Sequence, residues 1–328
     1  MGGFGIDLGT ANTVVGHPRR GIVFDEPSVM VAHSDDPTTP VLVGRDARAL
    51  TGRTPAGYQM VRPLQDGVVV DLESARAFIV AMLRKIRRRG WPGERRRAVI
   101  GVPAGATTLE CRALLETAHE AGLRKVALLP EPIAGAFGSG IDPLESRAHM
   151  VVDIGGGTSE ITGFCYGGVL ASRTCRVAGD ELTRTLTQYL RAEHRLMVGD
   201  LTAETIKSTV DDVTDPPLIV EGRDAATGRA RLMTLETDEV KDALRGTVDE
   251  IVHTLTGCLE DLPAQATSDI MSNGVLAIGG GALMSGFTRL LEETFGFPVK
   301  LAGRPLTCVA EGTTRALNHP PVLAAYGG

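Results

Sequence analysis

A ten-residue pattern occurs twice in this chain, and that repeat constrains the fold more than any other feature. Gly5-Ile6-Asp7-Leu8-Gly9-Thr10-Ala11-Asn12-Thr13-Val14 is echoed by Val151-Val152-Asp153-Ile154-Gly155-Gly156-Gly157-Thr158-Ser159-Glu160. Each reads as a strand carrying an Asp, a hydrophobe, a small polar turn led by glycine, and a second strand. The two aspartates are 146 positions apart (153 − 7). A turn repeated at that distance implies two similar domains facing a shared cleft. A hairpin of Gly and Thr exposes several backbone N–H groups in a concave turn, a nest that binds phosphate oxygens. Two such turns, one from each domain, can clamp a polyphosphate. Asp7 and Asp153 can then hold Mg²⁺, directly or through water. Either loop alone also reads as an ordinary glycine hairpin; the matched position of the aspartate separates the pair from that reading.

The rest of the chain alternates strands and helices, which favours an α/β architecture. Phe4–Asp7, Ala98–Val102, Met150–Asp153 and Val275–Ile278 are short, apolar and followed by Gly or Pro, as buried strands ending at functional loops are. The spacing predicts a helix from Leu72 to Arg89, with Leu72, Ala75, Ile79, Met82 and Ile86 on one face. Thr107 and Glu110 have capping-box spacing for a second helix that continues through Leu114 and Ala118. Glu181–Arg195 and Asp238–Leu262 are further helices. Asp211–Arg231, with Pro216, Pro217, Gly222 and Gly228, reads as a turn-rich peripheral lobe with short strands, and His33–Pro40 as an exposed polar loop.

Two further segments carry chemistry. Val275–Leu283 reads as strand, triple glycine (Gly279, Gly280, Gly281) and helix; glycine there lets a base or ribose lie against the backbone, and a helix N-terminus favours anions. Glu131, between Pro130 and Pro132, sits at a strand-to-helix junction. A carboxylate there can orient or deprotonate water for attack on a γ-phosphate, although an acid near a helix N-terminus is also a common structural feature. No G-x-x-x-x-G-K-[ST] motif and no G-x-G-x-x-G after a strand occurs, which excludes a P-loop and disfavours a dinucleotide fold. The length of 328 residues suggests two or three units, and a formal net charge of −6 argues against general nucleic-acid binding. Five scattered cysteines without a C-x-x-C pair suggest neither zinc nor disulfides and fit a reducing cytosol. There is no signal peptide and no run of eighteen apolar residues.

These loops, in this order, resemble the actin, Hsp70 and sugar-kinase ATPase superfamily. Longer stretches are similar to its MreB and MreB-like (Mbl) bacterial actin branch: Gly5–Val14, Glu26–Val29, Gly52–Pro55, Arg62–Leu64, Asp66–Val68, Val99–Pro103, Glu131-Pro132, Met150–Glu160, Arg176–Glu181, Thr202–Lys207, Asp269–Leu283, Pro305–Val309 and Gly312. The resemblance spans essentially the whole chain. It implies an α/β actin-like fold of two duplicated RNase H-like domains, four subdomains in all, around a nucleotide cleft. Domain I would comprise residues 1–145 and 308–328, with a peripheral subdomain near 33–70. Domain II would comprise 146–307, with a peripheral subdomain near 179–237. It further implies ATP held by Gly9, Thr10, Ala11 and Asn12 on one side and Gly155, Gly156, Gly157 and Thr158 on the other. Gly279, Gly280 and Gly281 would lie against the adenosine, with Glu204 and Lys207 reaching the ribose and base. Glu131 and Thr158 would position the attacking water. The chain departs from many relatives at Pro130, where a second acid is usual, which bears on hydrolysis rate. It also begins almost at the first strand, without the amphipathic N-terminus that many relatives use at the membrane.

Arg84-Lys85-Ile86-Arg87-Arg88-Arg89-Gly90-Trp91-Pro92-Gly93-Glu94-Arg95-Arg96-Arg97 holds eight basic residues and the only tryptophan, where the resemblance places a membrane-insertion loop. Trp91 would enter the interfacial layer and Arg88, Arg89 and Arg95 would meet anionic headgroups; the alternative is a cation-decorated helix end with Trp91 packed on its own domain. The resemblance thus implies a slow, filament-forming ATPase at the inner face of the membrane, a scaffold for cell shape and cell-wall synthesis with membrane morphogenesis proteins as partners. Competing readings are a chaperone-like ATPase, disfavoured because no substrate domain follows, and a metabolite kinase, which needs an acceptor pocket. The last is a relative that uses nucleotide only as a brace.

Overall fold

The computed structural model describes residues 2–88, 97–209 and 217–327. The repeat seen in the sequence is a repeat of whole sheets. The first has strand order Lys125–Pro130, Arg97–Val102, Phe4–Leu8, Asn12–His17, Gly21–Pro27; the second runs Val299–Leu301, Val275–Ile278, His149–Ile154, Ser159–Cys165, Gly168–Cys175. In each, the strand bearing the key aspartate is central. It pairs antiparallel with the strand after its turn and parallel with a strand that arrives from far along the chain. The central strands are apolar on both faces because both faces are covered.

Two short helices lie between the sheets. Glu131–Gly138 packs on both, and Cys308–Ala316 packs on the first and against Glu131–Gly138. Their meeting is backbone on backbone: a Cβ at Gly138 would lie 1.9 Å from the Cys308 carbonyl oxygen, and one at Gly312 1.7 Å from that of Ala134. A core of Val99, Leu129, Ile133, Val151, Phe164, Ile278 and Val309 runs through this layer and joins the two halves. Each half also has its own larger core.

Each half bears a small three-stranded sheet away from this layer. One is ordered Asp36–Val43, Met30–His33, Tyr58–Val61; the other Leu196–Met197, Leu218–Asp224, Ala230–Leu235. The segment expected as an exposed loop at His33–Pro40 is therefore mostly a hairpin. Its polar residues occupy an exposed strand, and Asp36 accepts from the Thr38 N–H at 3.1 Å. The helix of Leu72–Arg88 buries Ala75, Phe78, Ile79, Met82 and Ile86, whereas Leu72, its first residue, overhangs the core and is exposed. Helices at Thr108–Glu120, with its Thr107–Glu110 capping box, Gly179–Glu193 and Thr237–Glu260 lie within two residues of the expected limits. After the triple glycine comes only a single 3₁₀ turn, Gly281–Leu283; the α-helix begins at Phe287. A helix dipole at Gly281 is thus not available.

The backbone contact between the inter-sheet helices predicts that Gly312→Ala is overpacked and loses about 3 kcal/mol of stability. Gly246→Ala, exposed in the helix of Thr237–Glu260 with nothing within 4 Å, should instead gain about 0.5–1 kcal/mol. Chemical unfolding of both variants checks the pair.

Candidate functional site

The two duplicated turns face each other across a cleft, and their backbones nearly touch. A Cβ at Gly156 would lie 2.8 Å from the Ala11 Cβ and 3.2 Å from the Ala11 nitrogen. The first turn is braced from behind: Ser28 donates its hydroxyl to the Gly9 carbonyl (2.6 Å) and its N–H to that of Ala11 (3.0 Å). The second is closed by the Gly155 N–H on the Thr158 carbonyl (2.9 Å). It is held to the start of the helix Gly179–Glu193, where the N–H groups of Gly179 and Asp180 donate to the carbonyls of Gly155 and Gly156 at 3.1 and 2.7 Å.

Between the turns lies a cavity of about 470 Å³. Its walls include Asp7, Gly9, Thr10, Ala11, Asn12, Glu131, Asp153, Gly155, Gly156, Gly157, Thr158, Glu204, Lys207, Gly279, Gly280 and Gly281. Every phosphate-, metal- and nucleoside-directed residue inferred from the sequence is therefore brought to one place, across more than 270 positions of chain (281 − 7). A volume of this size suits a small-molecule ligand. At one end the cavity is apolar, with Leu283, Met284 and Leu306 beside the triple glycine. Gly279 has φ +84°, and a side chain there would strike the Ile154 carbonyl and Asp153. Lys207 is committed locally: its Nζ donates to Glu204 (2.7 Å), the Gly179 carbonyl (2.8 Å) and Thr183 (2.9 Å). Burial opposes ionisation of Glu204, but the hydrogen bonds from Lys207 and Thr183 outweigh it and hold that carboxyl below its ordinary range.

Acids line the same cavity, and one of them, Asp153, stands next to Gly279. Burial pushes Asp7 up to about 8, with the charges of Asp153 and Asp25 adding to it. Burial carries Asp153 to about 7. Burial, then the charges of Asp7, Glu160 and Asp153, raises Glu131 well above the carboxylate range. Two facing carboxylates, neither of them held down by a cation, form a donor set suited to Mg²⁺, which is bound by one or two carboxylates and otherwise keeps water and phosphate oxygens. Among the described residues no cluster of three or more His, Cys, Asp or Glu side chains forms a closed metal shell.

Several residues at the cleft were read from the sequence only as parts of family-like stretches, with no role assigned to them. Asp66 and Gly67, both at positive φ, form a two-residue turn joining Leu64–Gln65 to Val68–Val69. The Gly67 N–H donates to Thr10 Oγ1 at 2.8 Å, and a Cβ at Gly157 would lie 2.8 Å from Asp66 Cα, so this turn rests on both duplicated loops. An Asp-Gly pair between apolar residues is a hairpin signal that marks it. Asp180 lines the cavity and pairs with Arg62 across the mouth at 3.6 Å. No local pattern reveals that partner.

Of the basic segment, Trp91, Arg89 and Arg95 lie outside the described residues, as does the side chain of Arg88. Lys85, counted there among the cations, is taken: its Nζ meets Glu26 at 2.6 Å and the Val43 carbonyl at 3.1 Å. Arg84 and Arg87 are exposed. Among the described residues no helix is long and apolar enough to cross a membrane.

Two related halves around a shared cleft define an actin-like α/β protein. A family model described as MreB/Mbl protein matches residues 2–324, and the chain belongs to the MreB/Mbl family. It is 38% identical to the cell shape-determining protein MreB of Escherichia coli (strain K12) over 98% of this chain and 94% of that one. It is 37% identical to the cell shape-determining protein Mbl of Bacillus subtilis (strain 168) over 96% and 95%. Among solved structures, MreB5 of Spiroplasma citri bound to ADP matches with a TM-score of 0.91 at 28% identity over 98% of both chains, and the same protein with AMPPNP with 0.90 at 29% over the same shares. The MamK double helical filament matches with 0.80 at 23% identity over 96% of this chain and 98% of that one, a likeness of fold.

The acid cluster sets a pH dependence. A carboxyl raised in the folded state binds more protons folded than unfolded between about pH 4 and its raised value, so stability falls as pH climbs through that window. Without nucleotide or divalent cation, the melting temperature should decline from about pH 5 to about pH 8 and decline less steeply in Asp153→Asn. Calorimetric melting across that range checks this; equal slopes in the two proteins would contradict it.

Proposed function

We propose that this chain is a bacterial actin homologue that binds Mg-ATP between the duplicated turns, assembles into filaments with copies of itself and helps determine cell shape. The observation that carries the reading is the facing of the two turns, with Asp7 and Asp153 behind them. The names of the relatives and the ADP and AMPPNP held by MreB5 support it. Division of the chain at 145/146 and 307/308 into domains I and II belongs to the same reading.

In this arrangement the N–H groups of Gly9–Asn12 and Gly155–Thr158 hold phosphate oxygens from opposite walls. Asp7 and Asp153 would hold the cation, which would supply positive charge to offset that of the phosphates. The nucleoside lies at the apolar end, against Gly279–Gly281, with Glu204 beside it. Glu131, at the first position of its helix, orients water with Thr158 and accepts its proton as the water oxygen bonds to the γ-phosphorus and the bridging oxygen departs with the diphosphate.

A second reading, nucleotide as a brace with little hydrolysis, is favoured by Pro130, which puts a rigid residue without an N–H directly before Glu131. Phosphate release by wild type and Glu131→Ala separates the two. A loss of about 100-fold or more supports catalysis, and equal rates support the brace.

Membrane association at the cytoplasmic face, through Trp91, Arg88, Arg89 and Arg95 and with membrane-bound cell-wall morphogenesis proteins as partners, is part of the proposal. It rests on the charge and tryptophan of that segment. Co-sedimentation with anionic vesicles should fall several-fold in Trp91→Ala; equal binding would remove Trp91 from the account.

A further inference from the structure

One buried acid has no task in the chemistry above. Glu160 stands opposite Asp153 in the second sheet and is 1% exposed. Its Oε2 accepts the Ala104 N–H at 2.8 Å. Ala104 belongs to the other half of the molecule, just past the strand Arg97–Val102 of the first sheet. The second oxygen, Oε1, is also buried and has no hydrogen-bond partner among the described residues. Burying a carboxyl oxygen without a hydrogen-bond partner is costly, and such groups call for a reason beyond packing.

The loop that Glu160 grips lies directly behind the phosphate end of the cleft. A Cβ at Gly67 would lie 2.8 Å from Pro103 Cγ and 3.6 Å from Thr158 Oγ1. A Cβ at Gly105 would lie 3.2 Å from the hydroxyl of Thr174, the register partner of Glu160 on the next strand. The 103–105 segment is thus wedged between the Asp66–Gly67 turn and the second sheet, and Glu160 supplies the hydrogen bond that ties it there. The Arg62–Asp180 pair also crosses the cleft, but at the mouth, half exposed and at 3.6 Å; solvent and salt screen such pairs. A hydrogen bond buried under the floor is shielded from solvent and salt and is not weakened in this way.

We propose that Glu160 is a positioning residue that fixes the separation of the two halves beneath the phosphate loops, through the Ala104 N–H, and so sets how firmly the cleft retains a nucleoside triphosphate. The inference rests on the nucleotide-binding reading above. Its chemistry makes the substitutions unequal. Glutamine at 160 keeps an acceptor for Ala104, whereas leucine of similar bulk does not. Proline at 104 removes the N–H from the other side and leaves Glu160 in place. Ala104 is the second residue of a turn closed by the Ala106 N–H on the Pro103 carbonyl at 3.0 Å, where proline is well accepted.

The test is the dissociation rate of a fluorescent ATP analogue, mant-ATP with Mg²⁺, from wild type, Glu160→Gln, Glu160→Leu and Ala104→Pro, each first confirmed as folded by its melting curve. Glu160→Leu and Ala104→Pro should release it about tenfold faster or more, and Glu160→Gln within about twofold of wild type. If Glu160→Leu does not fold, Ala104→Pro against Glu160→Gln decides. Wild-type rates in Ala104→Pro, or a Gln variant as fast as the Leu or Pro variant, would overturn the proposal. A folded wild type that takes up no mant-ATP would overturn the nucleotide reading on which it stands.

Discussion

The near contact of two glycine-led turns, Ala11 against Gly156, is the constraint from which the rest of this structure follows. Backbones can come that close only if neither turn carries a bulky side chain, and the approach puts Asp7 and Asp153 on facing walls of one cavity. Their burial makes the deprotonated pair unfavourable unless positive charge joins it. That cost is the physical basis for the Mg-ATP site proposed above.

Duplication of the sheets explains how such precision is reached. Each aspartate leaves the centre of a five-stranded sheet of the same order, anchored on one side by its hairpin partner and on the other by a parallel strand. The halves are then fixed to each other by two helices whose backbones touch at Gly138 and Gly312. That layer is apolar and closely packed, so the spacing of the halves is stiff near it. Farther out, the halves meet through polar contacts, at the cleft floor by Ala104 and Glu160 and at the mouth by Arg62 and Asp180. Rigid backing and a polar cleft are what a protein needs if ligand binding is to act on the spacing of its halves.

Much of this was legible in the sequence, because the informative residues signal locally. A strand aspartate followed by a glycine-led turn reads alone as an ordinary hairpin, but its repetition at a matched position made Asp7, Asp153 and both loops legible as a pair. Glu131 could be placed between a strand and a helix, although its role in hydrolysis came only from the family resemblance. The capping box at Thr107 and the aliphatic stripe from Ala75 to Ile86 set helix positions for the same reason. What escaped depends on distant pairing. Asp180 matters through Arg62, 118 positions away (180 − 62), and Glu160 through Ala104; neither partner carries a pattern of its own. The hairpin of Met30–His33 with Asp36–Val43 was hidden by the polar start of its second strand, which has no clear apolar face to reveal its period. The triple glycine suggested a helix start that the chain delays to Phe287.

The central claim is that both turns grip the same triphosphate from opposite walls. Calorimetric titration of Mg-ATP into wild type and Gly156→Val tests it most directly, because a branched side chain at 156 would push against Ala11. The account predicts one site per chain in the wild type and affinity weakened by about 100-fold, roughly 2.7 kcal/mol, in a folded Gly156→Val. Equal affinity in the two proteins, or none in the wild type, would contradict it.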